Sequence, residues 1–269
     1  MKKRDILTFI GVFAGIGIIL WGILINSQLK TFYDFASIVI TIFGSFCAML
    51  VNYPMSEFKK ILKIMGASFR DVNISGTEIL QKTTELSRKA RRDGLLSLEN
   101  EIGELNDEYL KKGLQLVVDG MEPETIREVL ELEIDEMERR HGKGAEMLKS
   151  WGGYAPAFGM IGTLIGLIQM LASLDDSNKL AAGMAAALIT TFYGAVMAYL
   201  ILNPMAANLT IKTQEEIAYR EMMLEGILAI QSGLNPRVVE EKLIAYLPPK
   251  DREDYLKNFG YKAGVTNYE

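Results

Sequence analysis

The sequence predicts an all-α, polytopic membrane protein with four transmembrane helices, a long helical insert after the second, and a helical tail. Three observations lead there. Four apolar stretches, Ile6–Ile25, Tyr33–Tyr53, Trp151–Leu174 and Leu180–Leu202, run through the chain. At about 1.5 Å of rise per residue each is long enough to cross a hydrocarbon core of roughly 30 Å. The last two hold no Asp, Glu, Lys, Arg or His. Residues 55–150, by contrast, are rich in charge and carry their apolar residues at helical spacing.

The basic start Met1-Lys2-Lys3-Arg4 has the character of a leader peptide. However, the apolar run after it is too long for a typical leader and lacks a small-residue cleavage site, which predicts a retained first span. Gly11 and Gly15, four apart and followed by Gly17, give that span a face suited to close helix packing. Asn26–Thr31 reads as a short loop. The second span follows, with Asp34 at its outer edge and Pro54 closing it. Residues 1–54 thus form one helical pair.

The insert, residues 55–150, reads as a succession of helices. Glu57–Phe69 has a helical apolar period, and Thr77–Arg92 continues it until Gly94 breaks the pattern. A further helix is expected from Ser97 towards Val118. Gly120-Met121-Glu122-Pro123 reads as a turn with proline at the first helical position. The helix after it has an apolar face of Ile126, Val129, Leu130, Ile134 and Met137, and Gly142 and Gly144 are expected to interrupt it before the third span.

Residues 151–205 form the second membrane pair, joined by Asp175–Lys179. Gly162 with Gly166, and Gly183 with Ala187, supply small residues where two helices can meet closely. Hydroxyls stand among them at Thr163, Thr190 and Thr191, and Pro156 and Pro204 flank the pair. In the tail, 206–269, the helical pattern of the fourth span continues through Ile227 until Gly233. Asn235 and Pro236 are suited to cap and begin a short helix to Leu247, which Pro248-Pro249 stops; the last twenty residues are expected to be loosely held.

Charge sets the expected orientation. Residues 55–150 contain sixteen Lys and Arg, against Lys30 and Lys179 in the two short loops. The positive-inside tendency then places the insert and both termini in the cytoplasm. The net charge of −5 argues against nucleic-acid binding. One cysteine, Cys47, excludes an internal disulfide, and the single His141 excludes a histidine-rich metal cluster. No phosphate-cradling glycine loop occurs, and no cofactor is expected. An ion-driven device generally needs an ionisable group within its spans, and the chain has none after Asp34. Either it moves no ion, or another polypeptide supplies a carboxylate to a wall that this chain provides.

The stretches G-M-I-G-T-L-I-G-L (Gly159–Leu167), preceded by Pro156, and A-A-L-I-T-T-F-Y-G-A (Ala186–Ala195), followed by Pro204, resemble the last two spans of the flagellar motor stator A subunit, the MotA/PomA family. R-R-D-G-L-L-S-L-E (Arg91–Glu99) resembles that family's rotor-facing segment, and the order of elements matches along nearly the whole chain. Softer forms of the membrane motifs occur in TolQ- and ExbB-like energisers, which usually carry three spans.

The resemblance implies an ion-driven motor and channel subunit, not an enzyme, in the bacterial inner membrane. A ring of A subunits, a pentamer, would surround two copies of a single-span B subunit with an essential transmembrane Asp and a peptidoglycan-binding domain. Thr163 and Thr191 would line the path of a proton or, less favoured, sodium, with Thr190 beside them. Pro156 and Pro204 would couple ion binding to movement. Arg91 and Glu99 would contact the rotor's switch-complex protein, with Arg88, Lys89 and Arg92 adding charge. Three other readings stay open. They are an energiser of a non-flagellar envelope process, a non-conducting membrane scaffold and, with less support because no inverted repeat is visible, a solute transporter.

Overall fold

The computed structural model describes residues 5–70 and 75–258, and among these there are helices and turns but no strand. Four helices are long and apolar enough to cross a membrane. They are α1 (Ile6–Asn26), α2 (Phe35–Asn52), and segments of two much longer helices introduced below. Asp5 caps α1 by accepting from the Thr8 amide at 3.0 Å. Asp34 does the same for α2 with Ser37 at 2.7 Å, so the second span starts two residues later than the sequence suggested. A carboxylate at this position satisfies one of the four orphan amides of a helix start.

Short helices α3 (Met55–Phe58) and α4 (Ile61–Ser68) follow, then α5 (Gly76–Asp93), α6 (Glu99–Glu104) and α7 (Glu108–Val118). The expected single helix from Ser97 to Val118 is broken, because Asp107 takes a capping role and accepts from the Leu110 amide at 2.9 Å. Glycine ends α5 and α7: Gly94 has φ 85° and Gly120 φ 74°, backbone that L side chains rarely adopt. After α7 the amides of Gly120 and Met121 turn back to the carbonyls of Val117 and Leu116, satisfying two of the helix's last acceptors.

The longest single α-helical run is α8 (Pro123–Leu171), 49 residues with Pro156 inside it. Gly142 and Gly144 do not interrupt it. A helix-interior glycine costs only about 1 kcal/mol relative to alanine, too little to break so long a run. Gly144 also has a use: a methyl there would sit 3.3 Å from Ile64, so its absence lets α4 pack close. The fourth long helix, α9 (Ser177–Gln231), continues far past the apolar segment, as its sequence pattern indicates. It widens into π-helical turns over Val196–Leu202, directly before Pro204. Proline lacks an amide and its ring crowds the carbonyl four residues back, and a wide turn relieves both. The tail forms α10 (Pro236–Ile244), capped by the Asn235 side chain as expected but ending short of Leu247, and α11 (Pro249–Asn258). The latter corrects the expectation of a loose tail over those residues: Tyr255 is buried and donates to Glu240 at 3.0 Å. The remainder of the tail, from 259, lies outside the described residues.

The chain divides into two compact units, one holding described residues 5–70 and 140–213, the other 75–139 and 214–258. In the first, Met49, Ile61, Met147, Leu148, Leu202, Met205 and Ala206 form a small core where α2, α4, α8 and α9 meet. No residue of α1 is buried, and Leu7, Phe13 and Trp21 point outward. That surface is stable only where hydrocarbon replaces water. The second unit has a larger core, including Leu80, Leu98, Leu114, Ile126, Leu130 and Ile227, drawn from α5 to α11.

Candidate functional site

Spans three and four, the apolar parts of α8 and α9, meet through glycine. A methyl added at Gly166 would stand 2.6 Å from the Gly183 carbonyl, and one at Gly183 would stand 2.8 Å from the Gly166 carbonyl. At Gly162 it would fall 2.5 Å from the Thr190 methyl, and at Gly194 2.7 Å from the Ala155 carbonyl. Ala187 is buried in the same seam. In lipid, where apolar burial gives helices little reason to associate, this approach brings the van der Waals and hydrogen-bond contacts that hold them. Of the two candidate packing glycines of α1, Gly15 lies under Leu200, whereas Gly11 has nothing within 4 Å.

The seam gathers the three threonines around one carbonyl. The Oγ1 atoms of Thr163, Thr190 and Thr191 lie 3.1, 3.0 and 3.3 Å from the oxygen of Ala187. A carbonyl offers two lone pairs, so all three hydroxyls cannot donate to it at once. Thr190 has an alternative acceptor in Ala186 at 3.0 Å. Thr163 and Thr191 have each other, at 2.5 Å, and Thr163 also reaches the Gly159 carbonyl at 3.1 Å. The trio therefore splits. Thr190 is 1% exposed, with its methyl against Gly162, and is a packing residue in this chain. Thr191 is exposed and Thr163 half-buried, so this hydroxyl pair opens on the surface of the unit with lone pairs to spare.

A second row of hydroxyls, not anticipated, backs this site. Ser37, Thr41 and Ser45 on α2 are each fully buried. Ser37 and Thr41 lie 3.4 and 3.3 Å from the carbonyls of Ala186 and Thr190, and Ser45 accepts from the Trp151 indole at 3.1 Å. Their four-residue spacing was visible in the sequence, but a hydroxyl row does not say which helix it will face.

Pro156 is half-buried beside Gly194. Its missing amide leaves the carbonyl of Gly152 without its helical partner, and Gly152 in turn packs under the Asn203 side chain, next to Pro204. Both prolines thus stand near irregular backbone at one end of the seam. Closer to the unit's other helices, Asp5 and Lys212 form an ion pair at 2.7 Å with side chains 15% and 13% exposed. Lys212 also donates to the carbonyls of Ser68 and Arg70, and Asn208 to Asp5 and Thr8. Burial pushes the Asp5 carboxyl up, yet the bonds from Lys212, Thr8 and Asn208 outweigh it and hold the group well below the usual carboxylate range. With its partners Asp5 and Lys212 some 207 positions apart, this clamp could not be read from sequence.

In the second unit the candidate charges also separate. Lys89 is paired with Glu101 at 2.7 Å, which lowers the Glu101 carboxyl, and Arg92 is paired with Asp93 at 2.8 Å. Arg88, Arg91 and Glu99 are exposed and have no ion-pair partner among the described residues. Arg91 lies in the last turn of α5 and Glu99 in the first of α6, with Gly94 and a 3-10 turn, Leu95–Leu98, between them.

Comparison with known proteins places this arrangement. The family model described as the MotA/TolQ/ExbB proton channel family matches residues 101–222. Motility protein A of Borreliella burgdorferi is 43% identical over 257 residues, 95% of this chain and 99% of the relative. That of Treponema phagedenis is 40% identical over 250 residues, 93% and 96% of the two chains. The flagellar MotAB stator complex from Bacillus subtilis contains a chain that aligns with a TM-score of 0.85 at 33% identity, covering 93% of this chain and 98% of that one. The chain belongs to the MotA/PomA family of flagellar motor stator A subunits, within the wider MotA/TolQ/ExbB proton channel family.

Proposed function

We propose that the chain works with a single-span B subunit to convert an ion-motive force into rotation of a ring and torque on a rotor. The observation that carries this is the Thr163–Thr191 pair, exposed on two spans that carry no charged group of their own. A carboxylate within hydrocarbon is costly unless partnered. On this reading the partner's Asp lies against these hydroxyls, which hold it when ionised. An ion arriving from outside neutralises it and lets it leave the hydroxyls, and release to the cytoplasm restores the charge and the contact. Five A subunits around two B subunits would make successive positions inequivalent, so the ring steps. The insert and both termini face the cytoplasm, in keeping with the placement of basic residues. A proton is favoured over sodium, in line with the description of the family model.

Pro156 and Pro204 border irregular backbone at the end of the seam, where a small shift of the spans can be passed along α8 and α9. Arg91 and Glu99 are the rotor contact, with Arg88 beside them. Exposed charge pairs contribute less than about 1 kcal/mol each, which suits repeated engagement and release. Lys89 and Arg92, already paired internally, contribute less.

The test uses a motility-null strain expressing this chain with its B partner. Arg91→Glu and Glu99→Lys are expected to leave assembly intact and to abolish most swimming, and a compensating charge change on the rotor should restore it. Wild-type complex that assembles and passes ions but never supports swimming would instead make this chain an energiser of another envelope process.

A further inference from the structure

The first unit contains an apolar groove that none of the proposed functions uses. Leu200 of α9 covers Gly15 of α1, so the two helices touch there. Further along α1 they diverge. The gap, about 550 Å³, is lined by Ile16, Ile19, Leu20 and Ile23 of α1 and by Phe192 and Val196 of α9, and the loop residues Lys30 and Tyr33 stand at its rim. We propose that this groove holds the acyl chain of one anionic phospholipid whose phosphate engages Lys30.

Four observations support that occupant. The groove is open along one side and its lining is almost wholly apolar, so contact with water is unfavourable. In a bilayer the available filler is hydrocarbon. A docked helix fits poorly, because helices in membranes approach through small residues, whereas every α1 side chain on this groove is Ile or Leu. The seam between spans three and four, built of glycine and alanine, shows what a helix contact looks like in this same chain. The Tyr193 hydroxyl at the groove's end is already engaged with the Phe32 carbonyl. The cation at the rim is not: Lys30 has no ion-pair partner among the described residues and is exposed. Tyr33, also exposed, carries an amphipathic ring of the sort that sits at headgroup level. A long apolar slot ending in a single cation matches a lipid tail ending in a phosphate. This inference rests on membrane insertion alone and is independent of the ion path.

The experiment is native mass spectrometry of the assembled complex, with its B subunit, released into mild detergent from bilayers of mixed phosphatidylglycerol and phosphatidylcholine. Wild type should retain one phospholipid per copy of this chain, with phosphatidylglycerol preferred. Lys30→Gln should cut that preference about fivefold, the effect of one basic residue near a headgroup, while total retention falls less. Ile19→Trp, which fills the groove, should lower retention of both lipids with assembly unchanged; Ile23→Trp serves if the first variant fails to assemble. Wild type without bound lipid, or equal retention in the tryptophan variants, would overturn the proposal. So would an efficient disulfide between copies through Ile19→Cys in a Cys47→Ser background, since it would place a second copy in the groove.

Discussion

The core of the second unit and the membrane seam of the first are built from opposite kinds of residue. The second unit buries Leu80, Leu98, Leu114, Ile126, Leu130 and Met137 and turns its charges outward. The membrane seam of the first buries Gly162, Gly166, Gly183, Ala187, Ser37, Thr41, Ser45 and Thr190, while Leu164, Ile168 and Leu188 face out. The solvent accounts for the inversion. In water, removing apolar area is the main stabilising term, roughly 25 cal/mol per Å². In lipid that term disappears between helices, and close backbone approach with satisfied hydroxyls takes its place. Polar atoms at the membrane seam are therefore part of its packing, and the few that open outward, Thr163 and Thr191, stand apart as a site.

Substitutions that exchange the two rules should have the largest effects. Gly166→Leu drives a side chain into the Gly183 backbone, 2.6 Å away, where nothing flexible can yield; assembled complex on a native gel should be lost. Gly103→Ala, with nothing within 4 Å, should leave assembly unchanged. In the second unit Leu130→Ala, at a fully buried position, should destabilise by about 2–5 kcal/mol, read as lost hydrogen-exchange protection confined to that unit.

Next in size is the buried ion pair. Asp5→Asn leaves Lys212 largely buried and uncompensated, and should cost about 3 kcal/mol. Adding Lys212→Gln should recover much of it in a double-mutant cycle. Because the folded Asp5 carboxyl lies below its ordinary 3.8, its stabilisation is complete above that value and is lost only as pH falls through the lower one. Thermal stability should therefore carry the full contribution of this pair, with no pH dependence from it, between about pH 5 and 8. Smallest in stability is Arg91→Glu, an exposed change expected to stay within about 0.5 kcal/mol while stopping most swimming. Arg92→Glu, whose side chain already serves Asp93, should impair swimming less.

Much of this was legible in the sequence because it depends on local rules. Apolar length marked the spans, Pro123 and Asn235 marked helix starts, and Gly94 and Gly233 marked ends. Local rules also misled. Gly142 and Gly144 looked like breakers, yet their small propensity cost is too little to interrupt α8, and Asp107 started a new helix through a cap that a periodic reading passed over. The candidate threonines were visible as residues; that Thr190 turns inward while Thr163 and Thr191 form a pair depends on the rotation of two helices 28 positions apart in register. The pairing of Lys89 with Glu101 likewise needed the fold of α5 against α6, whereas Arg92 pairs with its own chain neighbour Asp93.

The central claim is that the Thr163–Thr191 pair lines the ion path, and ion flux through the complex with its B subunit, reconstituted in vesicles under an imposed gradient, tests it most directly. Thr191→Val removes the hydroxyl at nearly constant shape and should cut flux about tenfold, the scale of one lost hydrogen bond. Thr191→Ser, which keeps the hydroxyl, should retain most of it, and both variants should assemble. Wild-type flux through an assembled Thr163→Val, Thr191→Val double variant would contradict the account.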